Sequence, residues 1–201
     1  MFSIPPTLAV LRAMEEPEIK RSRAGARNVF RAEAVRTLAH DARLIELARS
    51  YLGESAFPFR ATLFDKSPQQ NWLVVWHQDT ALPLCERHDG AGWGPWSIKG
   101  DIVCAHAPAH ALEQVLAIRV HLDDSNEENG PLRVLPGTHR RGVLSDEAIH
   151  EVASQVPSFS CSVNAGSVVA MRPLVVHASS KLEWAPVRGA FSTSNMHRRQ
   201  I

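Results

Sequence analysis

Residues 71–79 read Asn71-Trp72-Leu73-Val74-Val75-Trp76-His77-Gln78-Asp79. The apolar run Trp72–Trp76 is β-branched and aromatic and too short for a helix, so it reads as a strand. It ends on His77 and Asp79, two residues apart. On an extended backbone such residues point to the same face. An imidazole and a carboxylate on one face can grip a single metal ion from one side, so this stretch predicts both a β core and a metal-binding wall.

Working outward, the same texture recurs. Arg60–Phe64, Ile102–Ala105, Val115–Leu122, Leu132–Leu135, Ser167–Met171 and Leu174–His177 are short apolar runs parted by Pro, Gly and Asp. Many short strands with turn signals between them indicate a sandwich or barrel. Residues 28–52 differ: Val29, Phe30, Val35, Leu38, Leu44, Ile45, Ala48 and Leu52 recur at three- and four-residue steps. That spacing predicts one amphipathic helix, or two short ones broken near His40–Asp41, with Gly53 as C-cap. A further helix is expected over 145–156, with Ser145 as N-cap and Ile149, Val152 and Val156 on one face. The reading is a single domain, 1–201: an irregular arm 1–27, a helical segment 28–53, a β core 54–195 and a tail 196–201.

The chain has 201 residues, with 22 Lys and Arg against 21 Asp and Glu, a net charge of +1. No net basic field exists to draw in nucleic acid or an anionic membrane, so neither is expected as a partner. Three scattered cysteines, Cys85, Cys104 and Cys161, make a poor disulfide framework. They fit a reducing compartment, and the expected location is cytoplasmic. Met1–Arg12 lacks the basic start of a signal peptide. Oligomeric state is not encoded in any readable pattern.

A third ligand must join His77 and Asp79, and His177 is the best candidate because it ends the apolar run Leu174–His177. Two His and one carboxylate on one face leave positions open on an octahedral ion, the facial arrangement of non-haem Fe(II) oxygenases. The open positions suit a bidentate co-substrate and then dioxygen. A 2-oxo acid that chelates through its keto-carboxylate end keeps a remote carboxylate, which a guanidinium neutralises bidentately. Arg188 is placed for this on the strand after His177, expected antiparallel to it. The remaining histidines, His121 among them, have no ligand spacing with a carboxylate that outweighs an ordinary structural role.

With these residues in view, the chain resembles the phytanoyl-CoA dioxygenase family of Fe(II)- and 2-oxoglutarate-dependent oxygenases. The resemblance runs from about Gly25 to Asn195. It rests on Phe64–Pro68, on Asn71-Trp72 with Trp76–Asp79, and on His121–Asp124. It continues through Glu128–Gly142, Ala165–Ser167, Met171–Leu174 and His177–Ser180. It implies a mainly β fold, a double-stranded β-helix (jelly-roll, cupin-like) core with N-terminal helices packed against it. It implies iron ligands at His77, Asp79 and His177, and a 2-oxoglutarate clamp at Arg188. Gln78 and Ser179 match positions that contact the co-substrate, and Arg60 and Arg119 are further suggestions for that pocket. The implied activity is a dioxygenase that uses O2 to hydroxylate a small organic molecule, with succinate and CO2 as co-products. Asn129, Gly130, Pro136, Gly137 and His139 read as turn chemistry.

Trp72, Trp76, Trp93 and Trp96 flank the ligand strand and are candidates for a substrate wall. Residues 80–100, rich in glycine, read either as a lid or as a surface loop. Two other functions use the same residues. One is a non-catalytic metal-binding jelly roll, suggested by the small, polar final strand Gly189–Asn195. The other is a zinc hydrolase, which leaves Arg188 without a task.

Overall fold

A computed structural model describes residues 21–22, 25–27, 29–66, 71–87, 89–99, 102–181 and 187–197, and for 21, 22, 65, 66 and 187–197 the backbone alone. In chain order the strands are β1 (Arg21–Ser22), β2 (Gly25–Arg27), β3 (Ala56–Lys66), β4 (Val74–His77), β5 (Ala81–Leu84), β6 (Trp96–Lys99), β7 (Ile102–His106), β8 (Val115–His121), β9 (Leu132–Val134), β10 (Phe159–Ser160), β11 (Val168–Met171), β12 (His177–Ser179) and β13 (Val187–His197). The helices are α1 (Glu33–Ala39), α2 (Ala42–Leu52), α3 (Ala109–Leu112) and α4 (Asp146–Gln155). None is long and apolar enough to cross a membrane.

The strands form a six-stranded sheet ordered β1-β2-β3-β13-β8-β11, a four-stranded sheet ordered β10-β9-β12-β4, and a smaller sheet of β5, β7 and β6. The first two face each other across one cavity, lined from β3, β8 and β11 on one side and from β4, β9 and β12 on the other. This is the double-stranded β-helix. Strand alternation explains the two faces of the large sheet. On β8, Leu116, Ile118 and Val120 pack outward with Val35, Leu38, Leu44, Ala48 and Leu52 of the helices. Ala117, Arg119 and His121, the alternate residues, line the cavity. On β3, Ala61 and Leu63 join the helices while Arg60, Thr62 and Phe64 face inward. The helices thus cover the outer face of the sheet whose inner face carries the polar residues.

The helical segment breaks at His40–Asp41, as its periodicity allowed. Asp41 caps α2 by accepting from the Arg43 amide at 3.0 Å, and Gly53 follows its end at φ 88°. Ser145 caps α4, its hydroxyl accepting from Ala148 N at 3.3 Å.

Four features depart from the sequence reading. Residues 21–27 hold β1 and β2, a hairpin continuing the large sheet through Ala26↔Leu63, where an irregular arm was expected. Of Leu174–His177 only His177 is in a strand; Leu174 and Val175 belong to a turn in which Val175 N donates to Arg172 O at 3.0 Å. β13 pairs with β3 and β8, not with β12, so Arg188 belongs to the opposite sheet from His177. β13 also runs to His197, into the expected tail. Within 80–100, β5 and β6 both pair with β7, so the two ends of the candidate lid are strands and the stretch between them is loop in its described residues.

Candidate metal centre

His77 ends β4 and pairs with His177, the first residue of β12. The next pair in this ladder is Ser179↔Val74, so β4 uses one residue more than β12 between the two pairs. That bulge re-aims the strand. Val74 and His77, three apart, both line the cavity, while Leu73 and Val75 are exposed. Asp79 lies beyond the end of β4. Its position comes from a loop hydrogen bond, Asp79 N to Pro173 O at 3.0 Å, and not from strand alternation.

The three side chains converge. One ligand atom from each of His77, Asp79 and His177 lies within 4.8 Å of the others. The Asp79 oxygens stand 3.8 Å from His77 Nε2 and 3.7 Å from His177 Nε2. Both rings are tied through the other nitrogen: His77 Nδ1 donates to Val75 O and His177 Nδ1 to Val175 O, each at 2.9 Å. A carbonyl can only accept, so Nδ1 carries the proton in both and Nε2 keeps a lone pair aimed at the common centre. Burial lowers the His177 pKa, opposed by the Asp79 carboxylate, and favours the neutral form a metal requires. The burial is graded: the His177 side chain is 8% exposed and that of Asp79 58%. Asp79 therefore marks the mouth and His177 the interior. Two imidazoles and a carboxylate so arranged can hold a divalent metal ion at the wall of a cavity of about 280 Å³.

The other sequence candidates are distributed unevenly. Ser179 lines the cavity, and its hydroxyl donates to Gly130 O at 2.8 Å. Arg60 lines it, with Nη1 donating to Ala81 O at 3.3 Å. Arg119 lines it with its guanidinium 5.6 Å from the Phe64 ring centroid. Gln78 turns away. Its amide nitrogen donates to Leu174 O at 2.7 Å and Gly142 O at 2.9 Å, and its oxygen accepts from Leu144 N at 2.8 Å. These bonds use both amide N–H groups and one lone pair of the oxygen, so Gln78 braces two loops, and it is not among the residues that line the cavity. Arg188 lies on β13 between Val187↔Lys66 and Ala190↔Phe64, where the register shifts; its side chain falls outside the described residues.

Of the four candidate tryptophans, Trp72 alone is among the residues lining the cavity. Trp76 packs with Leu135, Ile149, Val152 and Val176 under α4, and Trp93 with the cluster around Leu112. Trp96 lies under the Arg87 guanidinium. His121 lines the cavity although it was not selected as a ligand. The signal for it was its place two residues after Arg119 on β8, which puts both on one face.

Comparison with known proteins bears on this arrangement. L-proline trans-4-hydroxylase of Streptomyces griseoviridis is 30% identical over 105 residues, covering 52% of this chain and 31% of that protein. The match thus takes in about a third of its length. Two solved structures share the fold. EctD from S. alaskensis, with 2-oxoglutarate and 5-hydroxyectoine, superposes with a TM-score of 0.68 at 18% identity over 94% of this chain and 65% of that one. AviO1 from Streptomyces viridochromogenes Tue57 gives 0.64 at 22% identity over 89% and 68%. The sequence model of one family matches residues 11–182, a span that holds all three candidate ligands. On that match, the chain belongs to the phytanoyl-CoA dioxygenase (PhyH) family.

Proposed function

We propose that the protein is an Fe(II)- and 2-oxoglutarate-dependent dioxygenase that hydroxylates a small organic molecule. The observation that carries this reading is the convergence of His77, Asp79 and His177 with both Nε2 lone pairs aimed at one point on a cavity wall. Such a set occupies one face of an octahedral ion and leaves the other open. Iron bound there, with 2-oxoglutarate and O2, supplies the oxidising chemistry and leaves succinate and CO2 as co-products. The chain's own residues do the rest. His77 and His177 present neutral nitrogen, and Asp79 brings the negative charge. The interior walls shelter the metal's inner side from water, while the mouth beside Asp79 admits the substrate.

A role for Arg188 on the remote carboxylate of 2-oxoglutarate belongs to the same proposal. What supports it is the course of β13, which runs between two strands that both line the cavity. Ser179, Arg60 and Arg119 supply further polar wall. The free state of Cys85, Cys104 and Cys161 supports a reducing location, and we place the protein in the cytoplasm.

The test is an anaerobic titration of Fe(II), then 2-oxoglutarate, into metal-free protein, following the visible absorption of the chelate. The expected result is a band in the wild type, abolished in His177→Ala and weakened in Arg188→Ala. Folded, iron-loaded protein that gives no band would leave a non-catalytic metal-binding jelly roll as the function.

A further inference from the structure

We infer that Arg60 binds the acid group of the primary substrate, which makes that substrate a small carboxylic acid held at the metal end of the barrel. This rests on the oxygenase reading above and gives it a substrate class.

The first observation is the end of the barrel that Arg60 occupies. On β13, Ser194 pairs with Arg60 and with Ala117, and Ala117 pairs in turn with Met171. Directly paired residues share a face. Arg60, Ala117 and Met171 thus form one row on the inner face of the large sheet, and all three line the cavity. A second row, at the other end, joins Phe64 and His121 through Ala190. The chain leaves the large sheet at Met171 and enters the four-stranded sheet at His177. It leaves the large sheet at Lys66, beyond Phe64, and enters the four-stranded sheet at Val74. Short crossings join neighbouring ends. The row of Arg60 therefore faces the pair His77↔His177, and the row of Phe64 faces the pair Val74↔Ser179.

The second observation is separation from Arg188. Ser194, the partner of Arg60, is six residues along β13 from Arg188, about 20 Å at the rise of a strand. 2-Oxoglutarate that chelates the metal through one carboxylate and meets Arg188 with the other has no acid group left for Arg60. The resemblance placed Arg60 in the co-substrate pocket; its row assigns it to a different anion.

The third is an unused donor edge. Arg60 is half-buried, and among the described residues its guanidinium has one hydrogen bond, Nη1 to Ala81 O at 3.3 Å, and no ion pair. Nε and Nη2 have no acceptor there. Those two N–H groups are a fork that takes a carboxylate bidentately.

The fourth is the surroundings. Ala81, which receives the Nη1 bond, is two residues past Asp79, the ligand at the mouth. Leu82, Val115, Ala117, Met171 and Pro173, which also line the cavity, are apolar. A lone cation in an apolar wall orients a ligand by one charged group and leaves its body to apolar contact. A carboxylate matches that single charge. A phosphate ester, with about two negative charges at pH 7, exceeds it.

The experiment uses the full chain loaded with Fe(II) and saturating 2-oxoglutarate under anaerobic conditions. Butanoate and its uncharged amide, butanamide, are titrated in, with cyclohexanecarboxylate and its amide as a bulkier pair. Binding is read by calorimetry and by the shift of the chelate absorption. Each acid is expected to bind roughly 10- to 100-fold more tightly than its amide, the range for hydrogen bonds to a charged group. In Arg60→Met acid and amide should bind alike, while the affinity for 2-oxoglutarate stays at the wild-type value. If Arg60→Met does not fold, Arg60→Lys, which keeps the charge and loses the fork, carries the test through a reduced preference for the acids. Acids and amides that bind alike in the wild type overturn the inference. So does an acid preference that survives in Arg60→Met, or 2-oxoglutarate weakened in step with the acids. Butyl phosphate binding more tightly than butanoate overturns the carboxylate class. Absence of any chelate band in the iron-loaded wild type is a different failure, that of the oxygenase reading, and takes the inference with it.

Discussion

Gln78 stands between two candidate metal ligands in the chain and faces neither. Its amide joins the turn at Leu174 to the loop at Gly142–Leu144, so it holds the segment leading into His177 against the segment leading into α4. Replacing it by leucine removes three hydrogen bonds and leaves main-chain groups unpaired. At about 1 kcal/mol each, Gln78→Leu should lower stability by roughly 3 kcal/mol, measured by urea denaturation. Its affinity for 2-oxoglutarate should change far less than that of Ser179→Ala, the opposite of what a co-substrate contact would give. His121 makes a second residue-scale prediction. Its folded pKa, about 4, lies below the usual 6.5. The unfolded chain therefore binds the extra proton first, so the neutral ring's full contribution is present above pH 6.5 and is lost as pH falls from 6.5 towards 4. The loss approaches about 3 kcal/mol at the acid end. The slope of melting temperature against pH over that window should be shallower in His121→Phe.

At the scale of elements, the break between α1 and α2 depends on Asp41. The residue leaves helical geometry, and its carboxylate accepts from both the backbone and the guanidinium of Arg43. Asp41→Ala should cost about 1 kcal/mol, seen as a lower melting temperature with unchanged metal stoichiometry. The β1–β2 hairpin depends on a glycine instead. Gly25 has φ 112°, and a Cβ there would sit 2.0 Å from Leu63 O. No flexible side chain can yield at that spot, because the obstacle is backbone. In Gly25→Ala the hairpin should come away from β3, which hydrogen exchange would report as faster exchange at Ala26 and Arg27.

For the whole molecule, the large sheet separates two jobs by strand parity. Its outer face carries the principal apolar cluster with the helices, and its inner face carries the polar patch. Mutations on the two faces should separate accordingly. Ile118→Ala, beside Arg119 but pointing at α2, should destabilise by about 2–5 kcal/mol through the cavity it leaves. Below its melting point it should still bind one metal ion and 2-oxoglutarate as the wild type does. Linked loss of binding and stability in that variant would mean the sheet does not insulate its faces.

The chain's local patterns determined much. Periodicity placed the helices and their break, because the apolar stripe of a surface helix is written every three to four residues. Short apolar runs with turn residues announced a β core, since alternation and Pro/Gly punctuation are local signals. His77, Asp79 and His177 were legible because ligand chemistry restricts which residue types serve. The tertiary structure decided what depends on distant pairing. The bulge that turns Val74 and His77 to one side exists only in the ladder with β12. Asp79 is aimed by a hydrogen bond to Pro173, far along the chain. β13 joins β3 and β8 across the barrel from His177, a choice that adjacency in sequence argued against. Gln78 became a brace and His121 a cavity residue for the same reason. Each one's partners, or its want of them, come from segments that meet only when the two sheets close on each other.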